Sequence, residues 1–560
     1  MKRLLAILAC FSLFVQASHA ASLQDDLTAA LCKDGIAVDA LPAQLSAEFS
    51  RLAAAGTAIS CPEASFSDSV NTVMAPISKF ISDIVFFGAP MGWLVDDAPD
   101  LPLIVIWLLG GAVFFSCYMG FPNIRGFKQS MKIVKGTYDD PNDPGEVTHF
   151  QALSAAVSGT VGLGNIAGVA IAVSIGGPGA TFWMILSGLF GMTSKFVECT
   201  LGVKYREIDE NGVVSGGPMY YLSKGLANRG LPNLGKILAV FAAIMCIGGA
   251  YGAGAMFQVN QSALQFTNQI TALTGGADSF FYGKGWIFGI VFAGVVGMVI
   301  IGGIKKITHV TELLVPVMAI TYISVSLFVI FSHFDQIPAA IGQILSGAFT
   351  GEGVQGGIIG VLIQGLRRAS FSNEAGLGSA SIAHAAAKTK EPVSEGLVAL
   401  LEPFIDTVVI CTITALVIIL TGSFDANASG TAAGIALTSN AFGSVVDWFP
   451  YVLTVAVIMF AFSTSLTWFY YGQRSFLWLV GDKPGADFAF KISYLLTLVI
   501  GSAMSLAPVM DMADALLLAM GIPNVLGLFL LRKEVKAMLD DYFARIKSGV
   551  IKPYVGNKES

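Results

Sequence analysis

The chain reads as an all-α polytopic membrane protein, and three features of its 560 residues carry that reading. Hydrophobic residues make up 54% of it and charged residues 12%, against about 25% charged in a soluble domain. Apolar runs recur from Leu101 to Leu531, long enough to cross a bilayer, which takes about 20 residues. Lysine and arginine gather in every second loop between them, the asymmetry of cytoplasmic loops. A net charge of −6, with no basic patch interleaved with aromatic residues, argues against a nucleic-acid partner.

The elements follow in order. Residues 1–20 read as a secretory signal: Lys2 and Arg3, an apolar run, then Ser18-His19-Ala20, with cleavage expected after Ala20. An uncleaved first helix is the alternative. Residues 21–100 are polar to amphipathic and acidic, with Lys33, Arg51 and Lys79 as their fixed cations, and are expected outside the cytoplasm. Cys32 and Cys61 would then lie in an oxidising compartment and could pair, although spacing fixes no geometry. Cys117, Cys199, Cys246 and Cys411 lie in apolar spans and read as small core residues.

Eleven spans follow, near 101–120, 150–176, 178–203, 236–262, 285–304, 310–332, 356–386, 395–421, 448–472, 488–507 and 512–531. Inside loops carry Arg125, Lys128, Lys132 and Lys135, then Lys204, Arg206, Lys224 and Arg229, then Lys305 and Lys306, Lys388 and Lys390, Arg474 and Lys483. Residues 532–560 form a cytoplasmic tail that opens with Arg532, Lys533 and Lys536. Outside loops are almost bare: 263–284 holds Lys284, while 333–355 and 422–447 hold no Lys or Arg. The segments around 334–350 and 430–446 read as surface helices or gates.

Two of these spans are interrupted. SAAVSGTVGLGNIAGVAIAVSIGGPG, Ser154 to Gly179, has no charge but clusters Gly159, Gly162, Gly164 and Gly168 around Thr160 and Asn165. Glycine lets the backbone leave helical geometry, which hydrocarbon tolerates only where freed N–H and C=O groups line a protein cavity. SNEAGLGSASIAHAAA, Ser372 to Ala387, repeats GLG plus a small polar residue, Gly376-Leu377-Gly378-Ser379. Setting aside span 101–120, these are the first and sixth of ten spans and run in opposite directions. That predicts two inverted five-helix repeats, 150–332 and 356–531, whose broken helices meet at the bilayer midplane around a solute. Close helix packing is the plainer account of the glycines, but not of the repeated polar insert.

Other polar residues in the spans fit such a site. Gln258, with Asn260 and Gln261, sits among small residues in GAYGAGAMFQVNQSA and could contact a small zwitterion or merely bond helix to helix. In FAFSTSLTWFYYGQ, Ala461, Thr464, Ser465 and Trp468 share one helical face. The two hydroxyls could complete an oxygen cage for a monovalent cation, or simply bond back to the preceding turn. Arg367, Arg368 and Glu374 lie close to the second break. Pairing of Glu374 with the arginines is expected; proton uptake or contact with a substrate amine is the alternative.

ALSAAVSGTVGLGNIAGVAIA (Ala152–Ala172), GGPGATFWM (Gly176–Met184), MFQVNQS (Met256–Ser262) and SNEAGLGSASIAHAAA closely resemble the alanine or glycine:cation symporter family. The resemblance covers about residues 100 to 535. It implies a LeuT-type fold and sodium-coupled uptake of alanine or glycine across the inner membrane by alternating access. It also implies that Gly159, Thr160, Gly162, Gly164 and Asn165 hold the substrate carboxylate. Ser372, Asn373, Glu374 and Gly376 would close the other side, Gln258 would touch substrate, and Trp468 would cover it. Sodium would lie on the carbonyls of Ser158, Val161 and Ala461 and the hydroxyls of Thr464 and Ser465. The expected partners are then amino acid, sodium and lipid, with no bound cofactor and the oligomeric state open. The front of the chain departs from the family pattern and reads as an appendage.

Three rival classes are weaker. Ser381 and His384, three residues apart, could mimic a hydrolytic Ser–His dyad, but the first copy lacks the histidine and no base-orienting acid is evident. Gly162, Gly164 and Ala167 fit a dinucleotide pattern without its strand–turn–helix context. A channel would also use broken helices, but its flux would not saturate. The histidines (His19, His149, His309, His333, His384) lack metal-ligand spacing. Proton coupling remains the alternative to sodium.

Overall fold

A computed structural model describes residues 65–91, 99–350, 357–424 and 434–554. The expected signal and the Cys32–Cys61 pair lie outside the described residues. Contacts divide the chain into Met1–Ser69 and Val70–Ser560. Of the first unit, residues 65–69 are described: Ser65 and Asp68 cap one another, each backbone N–H donating to the other's side chain at 3.1 Å.

The helices that position the site are α1 (Phe66–Val85), α2 (Leu103–Met119), α3 (His149–Thr160), α4 (Val169–Gly176) and α5 (Ala180–Lys204). Next come α6 (Pro232–Leu273), α7 (Gly285–Ile300), α8 (Gly303–Ser332), α9 (Ile337–Thr350), α10 (Gly357–Asn373) and α11 (Ala380–His384). The last are α12 (Pro392–Leu420), α13 (Gly434–Gly443), α14 (Phe449–Val480), α15 (Pro484–Ala503), α16 (Leu506–Ala519) and α17 (Gly521–Lys547). Two minimal antiparallel ribbons, Gly88–Ala89 with Leu101–Pro102 and Glu207–Ile208 with Val214–Ser215, tie loops.

Local chemistry sets the helix ends. Pro232, Pro392 and Pro484 open α6, α12 and α15, where a missing N–H costs nothing and φ is already helical. Thr148 and Gln151 form a capping box at the start of α3. Gly120, at φ 71°, closes α2 in the left-handed conformation that a side chain resists.

Among the described residues, seven helices are long and apolar enough to cross a membrane, or eight if the bent pair α3–α4 counts as one span. Leu103–Met119 and Gly285–Ile300 are shorter apolar helices. The segments expected at the surface contain α9 and α13. The core is packed around α5 and α14: α5 lies along α10 and α12, and α14 along α6 and α8.

The chain entering α3 and the chain leaving α11 are joined at one end of the molecule. Val147 and Ala387 form a parallel bridge, with Lys388 N donating to Val147 O at 2.7 Å. Arg206 spans the junction, its guanidinium donating to the carbonyls of Ala385 and Ala387 (2.6 Å) and of Pro144 and Thr389 (2.8 Å).

Candidate functional site

Both interrupted spans are broken where the glycines stand. Between α3 and α4 the axis bends by 50°. Val161 is extended (φ −76°, ψ 92°), and Gly164–Gly168 is wound as a π-turn. At Gly162 a Cβ would stand 2.5 Å from Thr464 Oγ1 and 3.1 Å from Gln258 Oε1, so a side chain there displaces one or both. Between α10 and α11, Glu374 (φ 56°), Gly376 (85°) and Gly378 (87°) carry the turn. Glu374 is the unusual member, because a left-handed non-glycine residue stores about 1–3 kcal/mol. Two hydrogen bonds hold its carboxylate: Ser379 Oγ donates to Oε2, and Trp468 Nε1 donates to Oε1 at 3.1 Å.

The breaks touch one another. A Cβ on Gly164 would lie 3.3 Å from the Phe371 ring and 3.6 Å from Ser372 Cα. Two side chains also bridge them. Trp468, 1% exposed, donates to Gly159 O of the first break (3.3 Å) as well as to Glu374 of the second. Asp406, on the π-wound part of α12, accepts from Asn165 Nδ2 at 2.6 Å and from Ser372 Oγ and Thr407 Oγ1 at 2.8 and 2.7 Å.

The other expected site residues take these places. Asn165 Oδ1 accepts from Gly162 N (2.8 Å) and so closes the first break on itself. Gln258 Oε1 accepts from Leu163 N at 3.1 Å, satisfying a donor freed by the break, and its Nε2 donates to Ala253 O. Asn373 braces the second break, donating to Thr407 and accepting from Ala375 N. Gly376 offers its carbonyl to Asn524 Nδ2 at 2.8 Å. Thr160 turns its hydroxyl back into α3, within 3.4 Å of the Ala156 and Val157 carbonyls.

Among the expected sodium ligands, Thr464 Oγ1 lies 2.9 Å from the Ser158 carbonyl, to which it donates. Ser465 Oγ donates to Gly254 O on α6 at 2.9 Å, so the two hydroxyls go to different helices. Neither bonds back along α14. Val161 and Ala461 are both fully buried.

Two sequence expectations are corrected. Arg367 and Arg368 pair not with Glu374 but with Asp514 of α16, Arg367 Nε donating to it at 2.7 Å. The loop at Glu374 turns its carboxylate to Ser379 and Trp468 instead. Second, His384 does have an orienting acid: its Nδ1 lies 2.5 Å from Glu395 Oε1. Ser381 is no partner to it, because its hydroxyl donates to Gly378 O at 2.5 Å.

His384 belongs to a buried chain of ionisable groups missing from the sequence reading. Glu395 contacts His149 at the start of α3 as well as His384. His384 Nε2 faces Glu402 at 3.7 Å, and Glu402 pairs with Lys195 at 3.0 Å. Lys195 is 3.9 Å from Glu198, whose Oε2 accepts from Gly378 N and Asn524 Nδ2, each at 3.1 Å. Tyr471 was also missed. Its hydroxyl is buried without a hydrogen-bond partner among the described residues and faces Gly159. The signal for these residues was present: an ionisable group inside a span is a functional candidate by default. Lys195, Glu198, Glu402, Asp406 and Asp514 meet that criterion as Arg367, Arg368 and Glu374 do.

Residues 92–556 match the sodium:alanine symporter family. A Methanococcus maripaludis protein named sodium/alanine symporter AgcS is 40% identical over 431 residues, covering 77% of this chain and 92% of its own. The amino-acid carrier protein AlsT of Bacillus subtilis is 34% identical over 459 residues, covering 80% and 93%. The solved structure of MhsT in complex with L-phenylalanine is similar with a TM-score of 0.48 and 14% identity, over 71% of this chain and 99% of that one.

Proposed function

Because the chain belongs to the sodium:alanine symporter family, we propose that it carries a small neutral amino acid, alanine or glycine, into the cytoplasm with sodium by alternating access. It is an integral multi-pass membrane protein. In this reading eleven crossings comprise one extra helix and two inverted sets of five, with the N-terminal segment outside and the tail inside. Charge asymmetry supports that orientation.

One observation carries the proposal: two broken helices lie against each other, and Asp406 and Trp468 each bond to both. A solute held between the breaks is therefore sensed by both halves at once, which a coupled carrier requires. The amides of Gly162 and Leu163, satisfied here by Asn165 and Gln258, would pass to a substrate carboxylate if those side chains turn away, and the Tyr471 hydroxyl adds an uncommitted polar atom. Glu374 suits the amino group. The Ser158 carbonyl with Thr464, and Asp406 with the Ser372 and Thr407 hydroxyls, offer oxygen clusters to a hard monovalent cation.

The test is labelled alanine uptake into proteoliposomes under separate sodium, lithium and proton gradients. Uptake that follows the sodium gradient and saturates supports the reading. Uptake indifferent to sodium removes it. Within that assay, Thr464→Ala is expected to raise the sodium concentration for half-maximal uptake several-fold, since its hydroxyl meets the Ser158 carbonyl. Ser465→Ala should change it little, because that hydroxyl is committed to Gly254. Equal effects would move the cation site elsewhere.

Proton coupling is the second reading, and a separate observation favours it. The run His149–Glu395–His384–Glu402 is a buried series of titratable groups, and such series mark proton routes in transporters. Its accessible end is Asp139, 3.9 Å from His149 and 35% exposed; burial raises that carboxyl while His149 draws it down. The proton-gradient arm of the same assay decides between the two.

A further inference from the structure

Helix α1 lies before residue 92, where the family match starts. From Val70 onward it is apolar on two faces. One face, Val70, Met74, Ile81 and Val85, packs on the core, with Ser78 buried between. At its end the Phe86 ring stacks 4.0 Å from the Arg367 guanidinium, and Asn71 Oδ1 accepts from Ser505 N at 2.7 Å. The chain is thereby held to Arg367 and to the residue that precedes α16, the helix carrying Asp514.

The other face is a row at helical spacing: Val73, Ile77, Phe80, Ile84 and Phe87. All are exposed, with Val73 at 62%, Phe80 at 67% and Phe87 at 70%. A contiguous apolar row of this kind has a partner in a soluble or membrane protein. The row runs on into Leu103 and Ile106, which are exposed on the membrane helix α2. Between them is a groove of about 690 Å³ lined by apolar groups, among them Ile84, Phe87, Leu103, Ile106 and Gly110. The charged pair Lys79–Asp83 lies to one side of the row, as on a helix lying in a bilayer surface.

We infer that Val70–Phe87 is an interfacial anchor whose exposed row sinks into the acyl chains of the leaflet beside the start of α2. The groove along Gly110 then takes an acyl chain, and the adjoining core-facing side stays locked to Arg367 and Ser505. Continuity with the lipid-facing side of α2 selects lipid over a second copy or another segment of this chain.

The experiment uses the full chain in phosphatidylethanolamine–phosphatidylglycerol vesicles, with a photoreactive benzoylphenylalanine placed singly at Val73, Phe80 or Phe87 and, as control, at Lys79. Irradiation is expected to add one phospholipid mass at the three row positions several times more often than at Lys79. A dimer band, a cross-link to a peptide of this chain, or lipid adducts no commoner than at Lys79 would each overturn the inference. Placing Leu at Gly110, where a Cβ meets nothing within 4 Å, should lower adduct yield at Phe87 without unfolding the chain. The readout is independent of transport, so it stands or falls apart from the symport reading.

Discussion

Replacing Asp406 by Asn is expected to lower sodium-driven alanine uptake by about 100-fold or more while leaving the protein inserted. Three donors converge on this carboxylate, from Asn165 in the first break, Ser372 in the second and Thr407 beside it. A hydrogen bond to a charged group is worth about 1.5–3 kcal/mol, and each 1.4 kcal/mol is tenfold, so weakening two of the three reaches that factor. The amide keeps the shape but loses the charge, and its own N–H₂ points a donor at groups that already donate. Glu in the same place should recover part of the rate and part of the sodium dependence. Quantified protein in the membrane fraction separates loss of function from loss of insertion. Uptake within a few-fold of the parent would show that the two breaks do not communicate through α12.

Trp468→Phe should act through affinity. The substitution leaves an aromatic ring against Gly249 and Gly254 but removes the one N–H shared by Gly159 O and Glu374. A hydrogen bond to a charged group is worth about 1.5–3 kcal/mol, which converts to roughly 10- to 100-fold. Half-saturation for alanine is expected to rise by that factor, with a smaller change in maximal rate. Glu374 would at the same time lose one of the two bonds that hold its carboxylate. An unchanged half-saturation constant would assign Trp468 to packing alone.

What could be read in advance follows from the range of the forces involved. Apolar runs and glycine clusters act locally, so the long apolar helices and both breaks are legible in the order of residues. Among the described residues, α2 and α7 are apolar but short of the membrane-crossing length, and α10–α11, the second interrupted span, does not pass the test either. Pairing was less legible, because a partner is chosen in space. Arg367 stands seven residues from Glu374, yet it bonds Asp514, which lies far along the chain on α16. Thr464 and Ser465 are adjacent in sequence, but the 100° step between them sends one hydroxyl to α3 and the other to α6. Asp406 went unremarked for a related reason. Nothing in the local sequence distinguishes it from Glu395 and Glu402 in the same span; two of its donors come from distant spans.

The Arg206 junction has a consequence for leakage. Its four acceptors are main-chain carbonyls from both sides of a shared seam, Pro144 ahead of α3 and Ala385, Ala387 and Thr389 behind α11. Neither segment can swing free at that end while the other stays, since a lone departure leaves the guanidinium with either one or three of its four acceptors. Under the transport reading, slippage, in which an ion crosses without its cargo, begins with such a one-sided departure. A single arginine thus makes the half-step costlier than the joint one, and does so through backbone atoms that no side-chain substitution can erase.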